Sequence, residues 1–372
     1  MSYNHRATEE AVVKLEKQLL DIYNSAAVDL QNQIDEYFRR FYKEEKRLKK
    51  LVKKGEMTEK KFKEWKLAQI NAQSGWEIRR QELAFKIMHV NELAADIVNG
   101  NLDAVYVLNA TYSAYNAELL IPKDVYAGSD VHLLDIVQGK NHSEFRTLTV
   151  DPVRDYAWNY EKIQNTLAAG ITAGDDLARM ANRFMEVMMN NYNAALRNAR
   201  TAMHSAANAG NSFTTTKIES LGYKVEDVWM ATVDGRTRES HARLHGVAVR
   251  HGDKFPNGLR YPCDPEGYPS EVYNCRCTTV QHIIGINDDI MDNFPTTEEG
   301  MDALYSSNPK YAKKITKQGR NGIVKESREM TPEEKRQFVA TFMNNDVPGY
   351  KKWLKQNADA RLVKELKEKG LI

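Results

Sequence analysis

From the amino terminus, apolar residues at Val12, Leu15, Leu19, Ile22, Tyr23, Ala26, Leu30, Ile34, Tyr37, Phe38, Phe41 and Leu48 recur at three- and four-residue spacings. That period places them on one stripe, so the stretch predicts a long amphipathic helix. Gly55 interrupts the pattern, and Thr58 stands where an N-cap hydroxyl would meet the orphan amides of a second helix carrying Phe62, Trp65, Ile70, Ile78, Leu83 and Ile87. The two form a predicted hairpin that ends at Asn99-Gly100, followed by a shorter Tyr-rich helix over 102–120 and a loop marked by Pro122, Gly128 and Gly139. Beyond Asp151-Pro152 the pattern predicts helix over 156–167, a turn through Gly170 and Gly174, and a helix over 177–209 closed by Gly210-Asn211. Strand character comes only after residue 220, over 225–233 and over 274–284. Between those strands a short helix over 236–244, stopped by Gly246, would project His241 and His245 from one face at the i, i+4 spacing. The remainder reads as a basic segment, a helix opened by Thr331-Pro332 and a charged tail.

The predicted class is α+β and predominantly α-helical, with a long N-terminal helical region, a helical middle, a small α/β lobe and a helical C-terminal tail. The expected boundaries are 1–150, 151–285 and 286–372. A chain of 372 residues with 42% hydrophobic content is long enough for two or three cores. It holds no run of about 18 apolar residues, so no membrane partner is expected. Its polar start does not read as a signal peptide, which points to synthesis in a cytosol that keeps thiols reduced.

The net charge of +2 is uninformative, but its distribution is not. Residues 43–66 hold eleven Lys or Arg against five Glu, and residues 309–328 hold seven against one. Interleaved Lys and Glu describe a solvated helical face. The sharper reading is nonspecific contact with the phosphates of double-stranded DNA through Lys49, Lys50, Lys53, Lys54, Lys60 and Lys61.

All three cysteines, Cys263, Cys275 and Cys277, fall within fifteen residues, just downstream of His241 and His245. Soft thiolate and imidazole donors so grouped can converge on one tetrahedral ion. His241, Cys275 and Cys277 would supply three ligands to a structural zinc, and His245, His251 or Cys263 the fourth. The competing reading makes the cysteines small buried hydrophobes. Arg236, Arg238, Arg243 and Arg276 could then tie the lobe together by pairing with Asp234, Glu239, Asp264 and Glu271. No Gly-rich phosphate loop, His-Glu-x-x-His or nucleophile elbow occurs.

One succession of short signatures carries a resemblance. Arg200-Thr201-Ala202 closes a helix, a strand ends in Trp229-Met230-Ala231-Thr232-Val233-Asp234, and Gly235-Arg236-Thr237-Arg238-Glu239-Ser240-His241 follows. Leu244 and Gly246, Phe255, Pro262 with Asp264-Pro265, and Asn274-Cys275-Arg276-Cys277 complete the series. In this order and spacing, over about 151–285, the chain resembles the minor head proteins of tailed bacteriophages, the group named after the F protein of phage Mu. His245 departs from the family pattern, which more often has an acidic residue there, and is a weaker ligand candidate than His241.

The resemblance implies a virion component and not an enzyme: a protein made in the bacterial host cytoplasm and carried inside the head. Its implied partners are the portal protein, the capsid or scaffold, and DNA, in assembly and in genome packaging or ejection. Two enzymatic alternatives stand beside it. In a zinc-dependent hydrolase or nuclease, His241, Asp234 and the thiolates would hold an open metal. An ADP-ribosyl-transferring enzyme is suggested only by neighbouring arginines and hydroxyls, with no motif behind it.

Overall fold

The computed structural model describes residues 2–69, 75–120, 145, 147–220, 223–232, 234–284 and 346–372. Ile70 of the expected second helix, the expected loop at Pro122, Gly128 and Gly139, the basic segment 309–328 and the helix at Thr331-Pro332 lie outside them. In chain order the described elements are α1 (Tyr3–Lys53), α2 (Glu59–Ala68), α3 (Gly75–Leu120), α4 (Pro152–Ala173) and α5 (Leu177–Ser220). They are followed by β1 (Lys224–Met230), α6 (Glu239–Arg243), β2 (Ala248–Arg250), α7 (Pro269–Val272), β3 (Thr278–Ile284), α8 (Val347–Asn357) and α9 (Ala360–Glu368). The fold is predominantly α-helical with one small antiparallel sheet, as the pattern predicts.

Two compact units divide the chain, one from 1–14, 98–147 and 198–372 and the other from 15–97 and 148–197. In the second unit the predicted stripe of α1 is the core: Leu19, Tyr23, Leu30, Ile34, Phe38, Phe41 and Leu48 are all buried. Phe38 meets Trp76 of α3 at 5.6 Å and Phe184 of α5 at 6.2 Å between ring centroids. The hairpin turn forms as read, with Gly55 left-handed at φ 74° and the Thr58 hydroxyl accepting from the Lys61 amide. Ile78, expected on the buried stripe, is 63% exposed. Polar side chains also enter this core, where Asn91 donates to Asp155 at 2.9 Å and to Asn191 at 2.8 Å.

Three boundaries differ from the expected ones, each at a glycine. Asn99-Gly100 does not end a helix, because α3 runs through it from Gly75 to Leu120. Helix α4 continues past Gly170 to Ala173, and it is Gly174, left-handed at φ 72°, that caps it. Gly210-Asn211 is not a cap either, since α5 continues to Ser220. A Cβ on Gly210 would lie 2.3 Å from the Tyr106 carbonyl oxygen of α3, so the residue permits close approach of two helix backbones.

In the first unit β3 pairs with β1 and β1 with β2, all antiparallel, in the order β2-β1-β3. One edge of β3 faces away from β1, and α5 satisfies it. Asn208 donates to the Cys277 carbonyl at 3.1 Å and accepts from the Thr279 amide at 3.2 Å. Asn211 reaches the Thr278 hydroxyl at 3.2 Å, and Gln281 donates back to Thr215 at 2.8 Å. The expected tail is built into this same unit. Tyr350 of α8 is fully buried among Tyr3, Tyr112 and Tyr115 and bonds the Thr111 hydroxyl at 2.8 Å, while Tyr3 donates to the Leu371 carbonyl at 2.7 Å.

The two helix glycines make opposite predictions. Gly210→Ala should lower the unfolding free energy by about 1–3 kcal/mol through overpacking. A methyl group on Gly100 would meet nothing within 4 Å, so Gly100→Ala should be neutral or stabilise by up to about 1 kcal/mol through helix propensity. Urea denaturation of the two variants against the parent checks both.

Candidate metal centre

The lobe between β1 and β3 contains few regular elements, and its loops are held by specific side-chain bonds. After β1 the chain turns at Asp234, whose carboxylate accepts from the Arg236 amide at 2.9 Å and lies 3.5 Å from the Arg236 guanidinium. The Thr237 hydroxyl donates back to the Thr232 carbonyl, closing the turn. Arg276 then grips both carboxylate oxygens of Asp234, at 2.7 and 2.6 Å. Burial tends to raise the Asp234 pKa, but the Arg276 bond and charge outweigh it and hold the carboxyl below its ordinary range.

Helix α6 is only five residues long, shorter than the expected 236–244, and it carries His241 to the lobe interior. From the other side, α7 is followed by Asn274, left-handed at φ 57°, whose amide donates to Thr201 of α5 at 3.0 Å. That reversal leads into Cys275, Arg276 and Cys277, just before β3, which starts at Thr278 and not at the expected 274; both sulfurs reach His241 while Arg276 between them turns to Asp234. The result is convergence. His241 Nδ1 lies 3.3 Å from Cys275 Sγ and 3.5 Å from Cys277 Sγ, and the three donor atoms are all within 4.8 Å of one another.

These three residues are 1–3% exposed and sit in a core of Trp229, Leu244, Phe255, Leu259 and Cys263, with the Trp229 ring edge-on to His241 at 5.1 Å. All three cysteines are free thiols, and burial raises the pKa of Cys275 and Cys277 well above the ordinary thiol value. Two buried sulfurs facing an imidazole nitrogen form a soft donor set that fits a divalent ion, whose charge would displace the thiol protons and bind the thiolates.

The other expected ligands divide. Cys263, held at φ 63°, lies in the same core, where its thiol donates to the Cys275 carbonyl at 3.3 Å. His245 does not share a helical face with His241, because α6 ends at Arg243. It instead accepts from the Ala231 amide at 3.2 Å, and burial lowers its pKa to about 4, so it is a neutral acceptor that closes a loop. His251 bonds Asp227 at 2.6 Å and Thr216 at 2.9 Å, away from the sulfurs.

Among the expected arginine pairs, Arg276 and Arg236 take Asp234, and Arg243 takes Glu239. Asp264 pairs with Arg260, while Arg238 donates to the carbonyls of Glu271 and Tyr273. Sequence reasoning places Glu271 only as an arginine partner. Its carboxylate in fact meets His241 Nε2 at 3.0 Å, a contact across thirty residues that no spacing rule signals.

In the other unit the six expected DNA-facing lysines occupy the end of α1, the turn after it and the start of α2. Lys49, Lys50, Lys53, Lys54, Lys60 and Lys61 are all exposed, with Lys49 3.1 Å from Glu45 and Lys54 4.0 Å from Glu56.

Residues 161–280 match the family described as phage Mu protein F like protein. The chain is 27% identical over 196 residues to minor head protein GP7 of Bacillus phage SPP1, covering 51% of this chain and 62% of that protein. It is also 30% identical over 161 residues to the NAD(+)–arginine ADP-ribosyltransferase EFV of Enterococcus faecalis (strain ATCC 700802 / V583), covering 42% of this chain and 32% of that protein. The chain therefore spans less than two thirds of the length of either relative. No solved structure matches it. The match to the phage Mu protein F like family takes in the Asp234–Arg276 clasp and all three convergent donors, so the part of the chain similar to that family, residues 161–280, is the part that carries the centre.

Proposed function

We propose that this chain is a minor head protein of a tailed bacteriophage, carried inside the head near the portal and acting in capsid assembly and genome packaging or ejection. The observation that carries the reading is the similarity to the SPP1 minor head protein across half of this chain, together with the family match over 161–280. We take 151–285 as the Mu F-like domain, with 1–150 and 286–372 as the regions that adapt it to the portal, capsid or scaffold. The transferase similarity carries less, because 68% of that protein lies outside it, and an activity named for the whole does not travel with a third. No helix among the described residues is long and apolar enough to cross a membrane.

Purified particles of the phage or induced prophage that encodes the chain test this reading. The protein should co-sediment with full heads, resist external protease until the heads are opened, and be needed for normal yields of infectious particles. Its absence from particles, with normal assembly in a deletion strain, overturns the reading.

Within that protein the lobe holds a structural zinc through His241, Cys275 and Cys277, with Cys263 as the fourth ligand. A zinc-dependent hydrolase or nuclease needs an open coordination position, and donors exposed by only 1–3% oppose one. Elemental analysis of protein made in zinc-replete cells should find about one equivalent of zinc, as a four-ligand site of this type takes. Cys275→Ser and His241→Ala should lose the metal and become protease-sensitive around 246–275, with most of the helical circular dichroism retained. Variants as metal-rich and protease-resistant as the parent would sink the clamp.

The exposed lysines of α1 and α2 bind double-stranded DNA without sequence preference. Five or so phosphate contacts predict an affinity that falls by about two to three orders of magnitude from low to physiological salt. Neutralising Lys49, Lys50, Lys53 and Lys54 together should flatten that salt dependence in a mobility-shift titration on unrelated DNA sequences. An unchanged slope assigns these lysines to solvent or to a protein partner.

A further inference from the structure

A histidine can offer a metal either ring nitrogen, and the bond made by the other nitrogen decides which one is offered. At His241 that choice is built into the lobe. Nδ1 faces the two sulfurs, and Nε2 points the opposite way, onto the Glu271 carboxylate at 3.0 Å. A carboxylate so placed accepts a hydrogen bond from Nε2–H, which keeps the ring proton on Nε2 and leaves the lone pair on Nδ1. It cannot itself ligate an ion held between the sulfurs, because the imidazole ring stands between.

Glu271 is not a surface acid that happens to lie close. Its side chain is 21% exposed, and the Ser240 hydroxyl donates to it at 3.1 Å. Its backbone carbonyl accepts from Arg238 at 3.3 Å, and the same guanidinium donates to the Tyr273 carbonyl. Three neighbours in one short run, Arg238, Ser240 and His241, thus converge on residues 271–273, immediately before the Asn274 reversal that delivers the cysteines. The edge-on Trp229 ring packs against the imidazole.

We propose that Glu271, itself oriented by Ser240, is the positioning residue of the metal centre: it holds His241 as the Nε2–H tautomer and so makes Nδ1 the metal-binding atom. The inference rests on the zinc reading above and adds to it the ligating atom and the residue that selects it. It also gives Arg238, Ser240 and His241 a single task, joining the ligand helix to the segment that leads into the cysteines.

The test uses the full chain and zinc itself, with affinity read by competition against a chromophoric chelator. Glu271→Ala should weaken zinc binding by about 10–100-fold, the usual cost of removing an outer-shell partner. Glu271→Gln keeps an oxygen that can accept from Nε2–H and should recover most of that loss. Long-range 15N–1H correlation of the His241 ring supplies the readout that a merely structural role would not move. The zinc-loaded parent should show a protonated Nε2 and a metal-bound Nδ1, and Glu271→Ala should lose that fixed assignment. Should the alanine variant prove poorly folded, Ser240→Ala, which leaves the carboxylate in place, should still broaden or mix the tautomer signal. Zinc bound through Nε2 in the parent, or equal affinities for parent and Glu271→Ala, overturns the role of Glu271 while leaving the zinc site standing. A parent that takes up no zinc overturns both.

Discussion

The Cys/His-bearing lobe depends on one interaction: side-chain amides of a helix completing the hydrogen bonding of an edge strand. An open β-edge presents alternating backbone donors and acceptors, and burying them unpaired costs about 1–3 kcal/mol each. Asn208 supplies one acceptor and one donor to the Thr279 amide and the Cys277 carbonyl, as a neighbouring strand would. Thr201 does the same for the Asn274 amide about two turns earlier in α5. The helix thereby sets the height and register of β3, and with them the positions of Cys275 and Cys277. Asn and Thr are poor choices for a buried helical face by propensity alone, so their presence there is explained by the strand and not by the helix.

The electrostatics of the centre follow from how the three residues ahead of that strand divide between two partners. Cys275 and Cys277 reach inward to His241, and Arg276 between them closes on Asp234 with two short bonds. The guanidinium thus fixes the backbone between the two sulfurs while keeping its own charge out of the apolar core. Inside, burial favours neutral thiols, as the raised pKa values of both cysteines express. Ionised together they would repel at close range in a medium that screens poorly, and a divalent cation is the partner that makes the charged form tolerable.

Periodic features were legible in the chain, and features set by tertiary approach were not. The long stripe of α1, the Gly55 turn with its Thr58 cap and the two principal strands all emerge from local spacing and are all present. Gly100 and Gly210 mislead because a helix-interior glycine costs only about 1 kcal/mol, which packing overrides. At Gly210 the reason is visible in the carbonyl of Tyr106, and no local pattern encodes it. The strand β2 has three residues, too few to establish a period. At the centre, residue types alone bring together His241, Cys275 and Cys277, while His245 is separated from them by a helix that ends before reaching it. Glu271 escapes a reading from sequence for a similar reason: charge invites pairing with an arginine, whereas Arg238 takes the backbone of that segment and leaves the carboxylate for the imidazole.

The burial of the centre also constrains what it can be used for. A metal that activates water or polarises a substrate must keep a coordination position that solvent can reach. Here the donors are walled by Trp229, Leu244, Phe255 and Leu259, while His245 is committed to the Ala231 amide and Glu271 to His241. The segments being held, 231–246 and 263–277, contain only two short helices between their strands and would have little to order them on their own. Loops with so few internal backbone bonds lose much conformational entropy on folding, and a cross-link among residues far apart in sequence offsets most where the chain it closes is longest. His241 and Cys275 are 34 residues apart. A metal bridging them would constrain the whole lobe at one point, which is the fastener role proposed above, with α5 fixing the segment that carries the cysteines.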